Sequence, residues 1–348
     1  MKKLLVVAAC ITLLSGMVAC ENDNKTQESS ATVLTGLPGE GKTVKPVHDT
    51  IAEEHFQTAV VSKLLEKLGY EVEEPAEVTP AIMFFTLAQG DVDFTAIFWE
   101  RLHQNFYEGR GGDEKLAKLG VIISETLQGY QIDKKTAEKY NITHLDQLKD
   151  PEIAKLFDSD RNGKANLAGC NPGSGCELAI EHHLDAYGLR DTVEHDQGAY
   201  GILLADVMTR YEQGESVLFY IWSPLWFDRI LKPGEDTIWL EVPYTDLPKE
   251  QGDISEKDTT VKGKNLGFVV DRVRIAANRE FIEANPAAKK LFELVTIPVD
   301  DINAQNLLMR DGENSQEDVS RHADEWIAKN QDTVDGWIEE VLQVDSKN

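Results

Sequence analysis

From Thr43 onward, short apolar runs alternate with stretches whose apolar residues recur every three or four positions. That alternation of strand and helix periods restricts the chain to an α/β fold, with largely parallel sheets expected. TVKPVHD (Thr43 to Asp49) reads as a first strand. The helix after it carries Phe56, Val60, Leu64 and Leu68 on one face and ends at Gly69. Phe94 to Trp99, Val121 to Ile132, Lys164 to Cys170 and Ser216 to Trp222 read as further extended segments, as do DTIWLEVP and NLGFVV. Helices are expected from Cys176 and from Ala199 to Gly214, and over most of the chain beyond Asn278. The run from Gln316 to Val341 is amphipathic.

Three of these strands end in unusual residues. Phe94–Trp99 ends in an indole, Ser216–Trp222 in another, and Lys164–Cys170 in the loop CNPGSGCE. Ligands bind beyond the carboxyl ends of strands in open parallel sheets. A single tryptophan there is more often core than ligand wall, but two of them beside a glycine-rich loop favour a site. If Cys170 and Cys176 pair, the bond pins that loop to a helix N-terminus, whose free N–H groups suit an anion. A plain staple with nothing bound accounts for the loop's residues equally well.

The first residues give an address. Lys2 and Lys3 precede an apolar run from Leu4 to Leu14 and small residues up to Cys20. This pattern describes a secretory signal, too short to span a membrane. Met17 stands where an ordinary A-x-A site needs a small residue, so cleavage before Cys20 with lipidation of that cysteine fits better. The signal is assigned to 1–19 and a polar, lipid-anchored tether to 20–36. Cys10 leaves with the signal, and the two thiols that remain in the folded part of an exported chain read as one disulfide. A redox pair usually has two intervening residues, and here there are five. The formal charge of −26 falls to −28 once Lys2 and Lys3 leave. Such acidity argues against nucleic acid or an anionic membrane surface as a partner.

Several chemical-looking motifs fail on context. GLPGEGKT matches a phosphate loop, but Pro46 forbids the helix that must follow. DSDRNG begins like a calcium loop, yet Gly169 stands where a bidentate Glu is needed. His182 and His183 have no histidine partner four residues away, so they are read as surface residues and no metal site is assigned. No nucleophile–base pair is evident, so the chain is read as a non-enzyme without a cofactor.

FTAIFWERLH, CNPGSGCE, YIWSPLW and NPAAKKLFELVTIPVDDINAQN together resemble the glycine betaine/proline betaine-binding proteins of ABC transporters. The resemblance runs from about LPGEGKTV to the final helix. It implies the two-lobed periplasmic-binding-protein fold (type II) with a ligand cleft between lobes: lobe 1 from 37–130 and 262–345, lobe 2 from 131–261. It also implies delivery of a small zwitterionic ligand to an ABC permease and its ATPase by an exported monomer. A quaternary ammonium has no N–H to donate, so aromatic faces must hold it, each worth ~0.5–2 kcal/mol. The resemblance places Trp99 and Trp222 in that cage, and His103 with the backbone of Gly175 and Cys176 on the ligand's carboxylate. Ser174 stands where the family has its third cage tryptophan. Trp226, Phe98 and Tyr200 are the rings considered as substitutes. Alternatively the Ser174 hydroxyl serves the carboxylate, and the ligand is taurine, carnitine, choline or a sulfonium osmolyte.

Overall fold

The computed structural model describes residues 36–345. The signal, Cys10 and the acylation candidate Cys20 lie outside the described residues. No helix among the described residues is long and apolar enough to cross a membrane.

A seven-stranded sheet organises the molecule. Its strands are β1 (Phe94–Trp99), β2 (Leu116–Asp133), β3 (Ala165–Ala168), β4 (Val193–Asp196), β5 (Leu218–Ser223), β6 (Thr237–Trp239) and β7 (Asp271–Asn278). They lie in the order β1-β7-β2-β5-β3-β4, and β6 adds to the flank of β2 away from β5. Only the β3–β4 and β3–β5 pairs of this sheet are parallel. β7 is antiparallel to β1 and β2, and β2 is antiparallel to β5 and β6. The sheet is therefore mixed, against the expectation of largely parallel strands. β2 and β7 are long strands not joined to a neighbour by a crossover helix, so nothing binds them to the parallel direction.

β2 is 18 residues long and changes partner midway. Its residues from Leu116 to Thr126 pair with β7, and those from Leu127 to Ile132 pair with β5. One unbroken strand thus serves both ends of the sheet.

α1 (His55–Lys67) buries Phe56, Val60 and Leu64 as the spacing predicts, and Gly69 ends it with φ +88°. α2 (Gly175–Ala186) starts one residue before Cys176, and α3 (Tyr200–Glu212) follows β4. Beyond Asn278 the described chain is helical, ending in Gln316–Lys329 and Gln331–Asp345. The first of these two packs on α1.

Four local readings are corrected by the structure. The first strand is two strands, Thr43–Val44 and Val47–His48, because Pro46 between them has no N–H to donate. NLGFVV contributes only Asn265 to a strand, since Gly267 turns left-handed at φ +82°. β7, unrecognised in the sequence, begins directly afterwards. His183 is fully buried, not on the surface: its ring bonds the Tyr130 hydroxyl at 2.8 Å and stacks on Tyr187. Its neighbour His182 meets Asp246 at 2.7 Å.

The discounted motifs sit in turns. The stretch from Gly36 leads into the short strand at Thr43 and opens no helix. The Asp158 carboxylate accepts N–H bonds from Asn162 and Gly163, closing its own loop.

Candidate functional site

β1 delivers Trp99 to the level of Ile123, near the middle of β2, where the indole is nearly buried. Its N–H donates to Glu54 at 2.6 Å, which fixes the ring plane. The chain then turns back, and the His103 N–H bonds the Trp99 carbonyl at 2.9 Å. That i to i−4 link puts His103 on the side of Trp99 expected from their spacing. The His103 ring lies edge-on to Phe84, and burial pushes its pKa down to about 3, so it is neutral. Its Nδ1 is buried without a partner. A buried polar atom without a partner is uncommon in a folded chain.

β5 arrives from the other half of the sheet, in the opposite direction, and places Trp222 opposite Gln128, also near the middle of β2. Tyr200 lies against it with ring centroids 4.2 Å apart. Tyr220, two residues earlier, shares its strand face, and the Tyr220 hydroxyl donates to Gln128 at 2.7 Å. β3 leads into the third component. Cys170 and Cys176 form a disulfide with Cα atoms 6.4 Å apart, closing the loop over the start of α2. Ser174 is the N-cap of α2: its hydroxyl accepts from the Glu177 N–H and donates to the Asn171 carbonyl at 2.6 Å. That donation engages the hydroxyl proton within the loop.

All six predicted site residues, Trp99, His103, Ser174, Gly175, Cys176 and Trp222, line one cavity. It contains about 300 Å³ of unfilled space within and at its mouth. Asp49, Ile51, Glu54, Leu102, Gln128 and Tyr220 complete the lining. Trp226, Phe98 and Tyr200 do not line it. Trp226 faces a separate groove beside Arg310, and Phe98 packs in the core with Phe84 and Tyr107. Tyr200 stands behind Trp222 as its support. The third ring at the cavity is Tyr220, which period-two alternation from Trp222 would have found.

Asp49 and Glu54 had no signal in the sequence. Burial pushes the Asp49 carboxyl up to about 7. Glu54 is raised well above the usual carboxylate range, first by burial and then by the charge of Asp49. The Asp49 backbone is held from behind: the rings of His48 and His55 stack at 3.6 Å, and each bonds the Asp49 carbonyl at 2.9 Å. No lysine or arginine lines the cavity.

These shifts make folding stability depend on pH. Asp49 and Asp228, both pushed up to about 7 by burial, hold protons in the folded chain that the unfolded chain has released by neutral pH. Their contribution to stability is therefore lost as pH rises from about 4 to 7 and changes no further above that. His55, His103 and His183, pushed down to about 3 by burial, act oppositely below roughly pH 6.5, where unfolded histidine gains protons. Between roughly pH 4 and 6.5 the two sets oppose each other, so the melting temperature of the unliganded protein is expected to change little there and to fall between about pH 6.5 and just above 7, where only the acids still differ between the folded and unfolded chain. A profile still rising at pH 8 would contradict these protonation states.

Comparison with known proteins fits this geometry. Residues 42–329 match the family described as the substrate binding domain of ABC-type glycine betaine transport systems. The chain is 53% identical over 305 residues to the glycine betaine-binding periplasmic protein OusX of Dickeya dadantii, covering 87% of this chain and 90% of that one. It is 50% identical over 314 residues to the glycine betaine/proline betaine-binding periplasmic protein of Escherichia coli K12, covering 90% and 94%. Among solved structures, a glycine betaine, L-proline ABC transporter binding protein (ProX) from Borrelia burgdorferi superposes with a TM-score of 0.65 at 23% identity, covering 85% of this chain and 96% of that one.

Proposed function

The chain belongs to the family of substrate-binding domains of ABC-type glycine betaine transport systems, and from that membership we propose that it captures glycine betaine or proline betaine outside the inner membrane and hands it to an ABC importer. The fold is the two-lobed α/β fold of periplasmic substrate-binding proteins. The carrying observation is the single cavity that gathers three aromatic rings, a neutral buried histidine and a helix N-terminus. Trp99, Trp222 and Tyr220 offer faces to a quaternary ammonium, which only packing and ring electrostatics can hold. His103 and the N–H groups of Gly175 and Cys176 stand ready for the carboxylate.

The lobes are assigned to 37–130 with 262–345 and to 131–261. The change of partner along β2, between Thr126 and Leu127, supports a crossing in that region. Ligand contacting both lobes favours the closed form, and the closed form is the one that docks on the permease. The protein acts as a monomer, tethered through a lipid on Cys20, and releases its ligand chemically unchanged.

Thermal shift against a panel tests the assignment, because a true ligand raises the melting temperature with occupancy. Glycine betaine and proline betaine are expected to give the largest shifts. A larger shift with taurine, carnitine, choline or a sulfonium osmolyte would favour the second reading, which Ser174 motivates. Ser174→Trp restores a third indole and is expected to tighten glycine betaine binding roughly ten-fold. The same change removes the N-cap of α2 and costs about 1 kcal/mol of stability. Titration calorimetry checks the first effect, and unaltered or weaker affinity would show that Tyr220 already completes the cage.

A further inference from the structure

A cavity meant for a neutral zwitterion needs no net charge, yet this one has two carboxyl groups and no lysine or arginine in its lining. Asp49 and Glu54 are both buried and hydrogen-bond each other. The Ile51 N–H donates to Asp49 at 2.9 Å, and the Trp99 indole N–H donates to Glu54 at 2.6 Å. Two touching buried carboxyls cannot both ionise without a cation, so the empty pair shares one proton.

The groups facing the pair supply no such cation. Glu53 and Glu77 add negative charge. His48 and His55 are kept neutral by burial, as is His103 across the cavity. The Tyr220 hydroxyl is held far above its ordinary range by burial, with Glu54 adding to the effect. A positive group placed between Trp99 and Trp222 would be the first cation to reach the two acids. Glu54 grips the edge of the same indole whose face meets that group, so the carboxyls lie at the ammonium end of the site.

We propose that the Asp49–Glu54 pair is the counter-charge for the ligand's cationic end and gives up its shared proton to solvent when that end enters. The proposal rests on the betaine-binding reading given above. The balance is simple: the cation enters, one O–H bond of the carboxyl pair breaks, and buffer takes the proton. Affinity must then rise with pH while the pair still holds its proton.

The experiment is titration calorimetry of the intact protein with glycine betaine in phosphate and in Tris, from pH 6 to pH 8. The heats are expected to differ between buffers by the equivalent of about half to one proton released near neutrality, with affinity rising several-fold across the range. Asp49→Asn is expected to abolish the buffer difference and flatten the pH profile while still binding. Equal heats in the two buffers, or wild-type release from Asp49→Asn, would overturn the proposal. Difference infrared spectroscopy of the ligand-free protein gives a reading that needs no ligand. A protonated-carboxyl band should be present at neutral pH after subtraction of the spectrum of the Asp49→Asn, Glu54→Gln double variant, which removes the contribution of Asp228 common to both. Its absence from that difference overturns the proposal even if betaine binds. Its presence, with no heat from glycine betaine or any other panel compound, overturns the betaine reading and the proposed ligand role together.

Discussion

Trp99→Ala is expected to weaken betaine binding by about ten-fold or more, and by more than Trp222→Ala does. Both changes remove a ring from the cavity, but their surroundings differ. Trp222 is backed by Tyr200 and flanked by Tyr220, so neighbouring rings remain when it goes. Trp99 is also the donor to Glu54. Its removal leaves a buried carboxyl without that partner, adding a desolvation penalty to the lost face. Trp99→Phe separates the two contributions, since it keeps an aromatic face and loses the N–H. Titration calorimetry ranks the three variants, and an unchanged dissociation constant in either alanine variant would remove that tryptophan from the site.

Gly175→Ala is expected to reduce affinity by about ten-fold or more while leaving the unliganded protein as stable as before. A methyl group at Gly175 would lie 2.7 Å from the Leu102 side chain and 2.9 Å from the His103 ring. Those two residues follow β1, whereas Gly175 begins α2 and is anchored by the disulfide loop. The substitution therefore wedges apart two elements that must close on the ligand. Alanine is a better helix residue than glycine, and Gly175 is not among the left-handed glycines, so the helix backbone itself does not oppose the change and the cost lies in the contact with Leu102 and His103. Calorimetric affinity together with the melting temperature without ligand checks both halves. A large loss of unliganded stability would place the contact in the core rather than in closure.

The parts of the site legible in the sequence are those that sit at the ends of elements. Trp99 and Trp222 close apolar strands, and the cysteine loop opens a helix, so strand-end reasoning found the residues; that β1 and β5 run in opposite directions and meet at the middle of β2 was not legible. Tyr220 was equally legible, since alternation along β5 puts it on the face of Trp222. Asp49 and Glu54 were not. A short strand followed by two glutamates looks like a solvated helix start, and only tertiary packing buries them. β7 escaped because DRVRIAAN mixes charges with alternating Val273 and Ile275, and its place inside the sheet comes from distant β1 and β2. His183 misled for the same reason: one face of α2 is covered by Tyr130 and Phe268, which lie far away in sequence. Mixed strand direction follows from how β2 and β7 thread the sheet, which no local pattern records.

The continuity of β2 makes the two ends of the molecule mechanically interdependent. Melting either end strips hydrogen-bonded neighbours from the same backbone that orders the other, so neither is a free-standing folding unit. Any displacement of one half against the other must therefore bend a backbone that both halves hydrogen-bond.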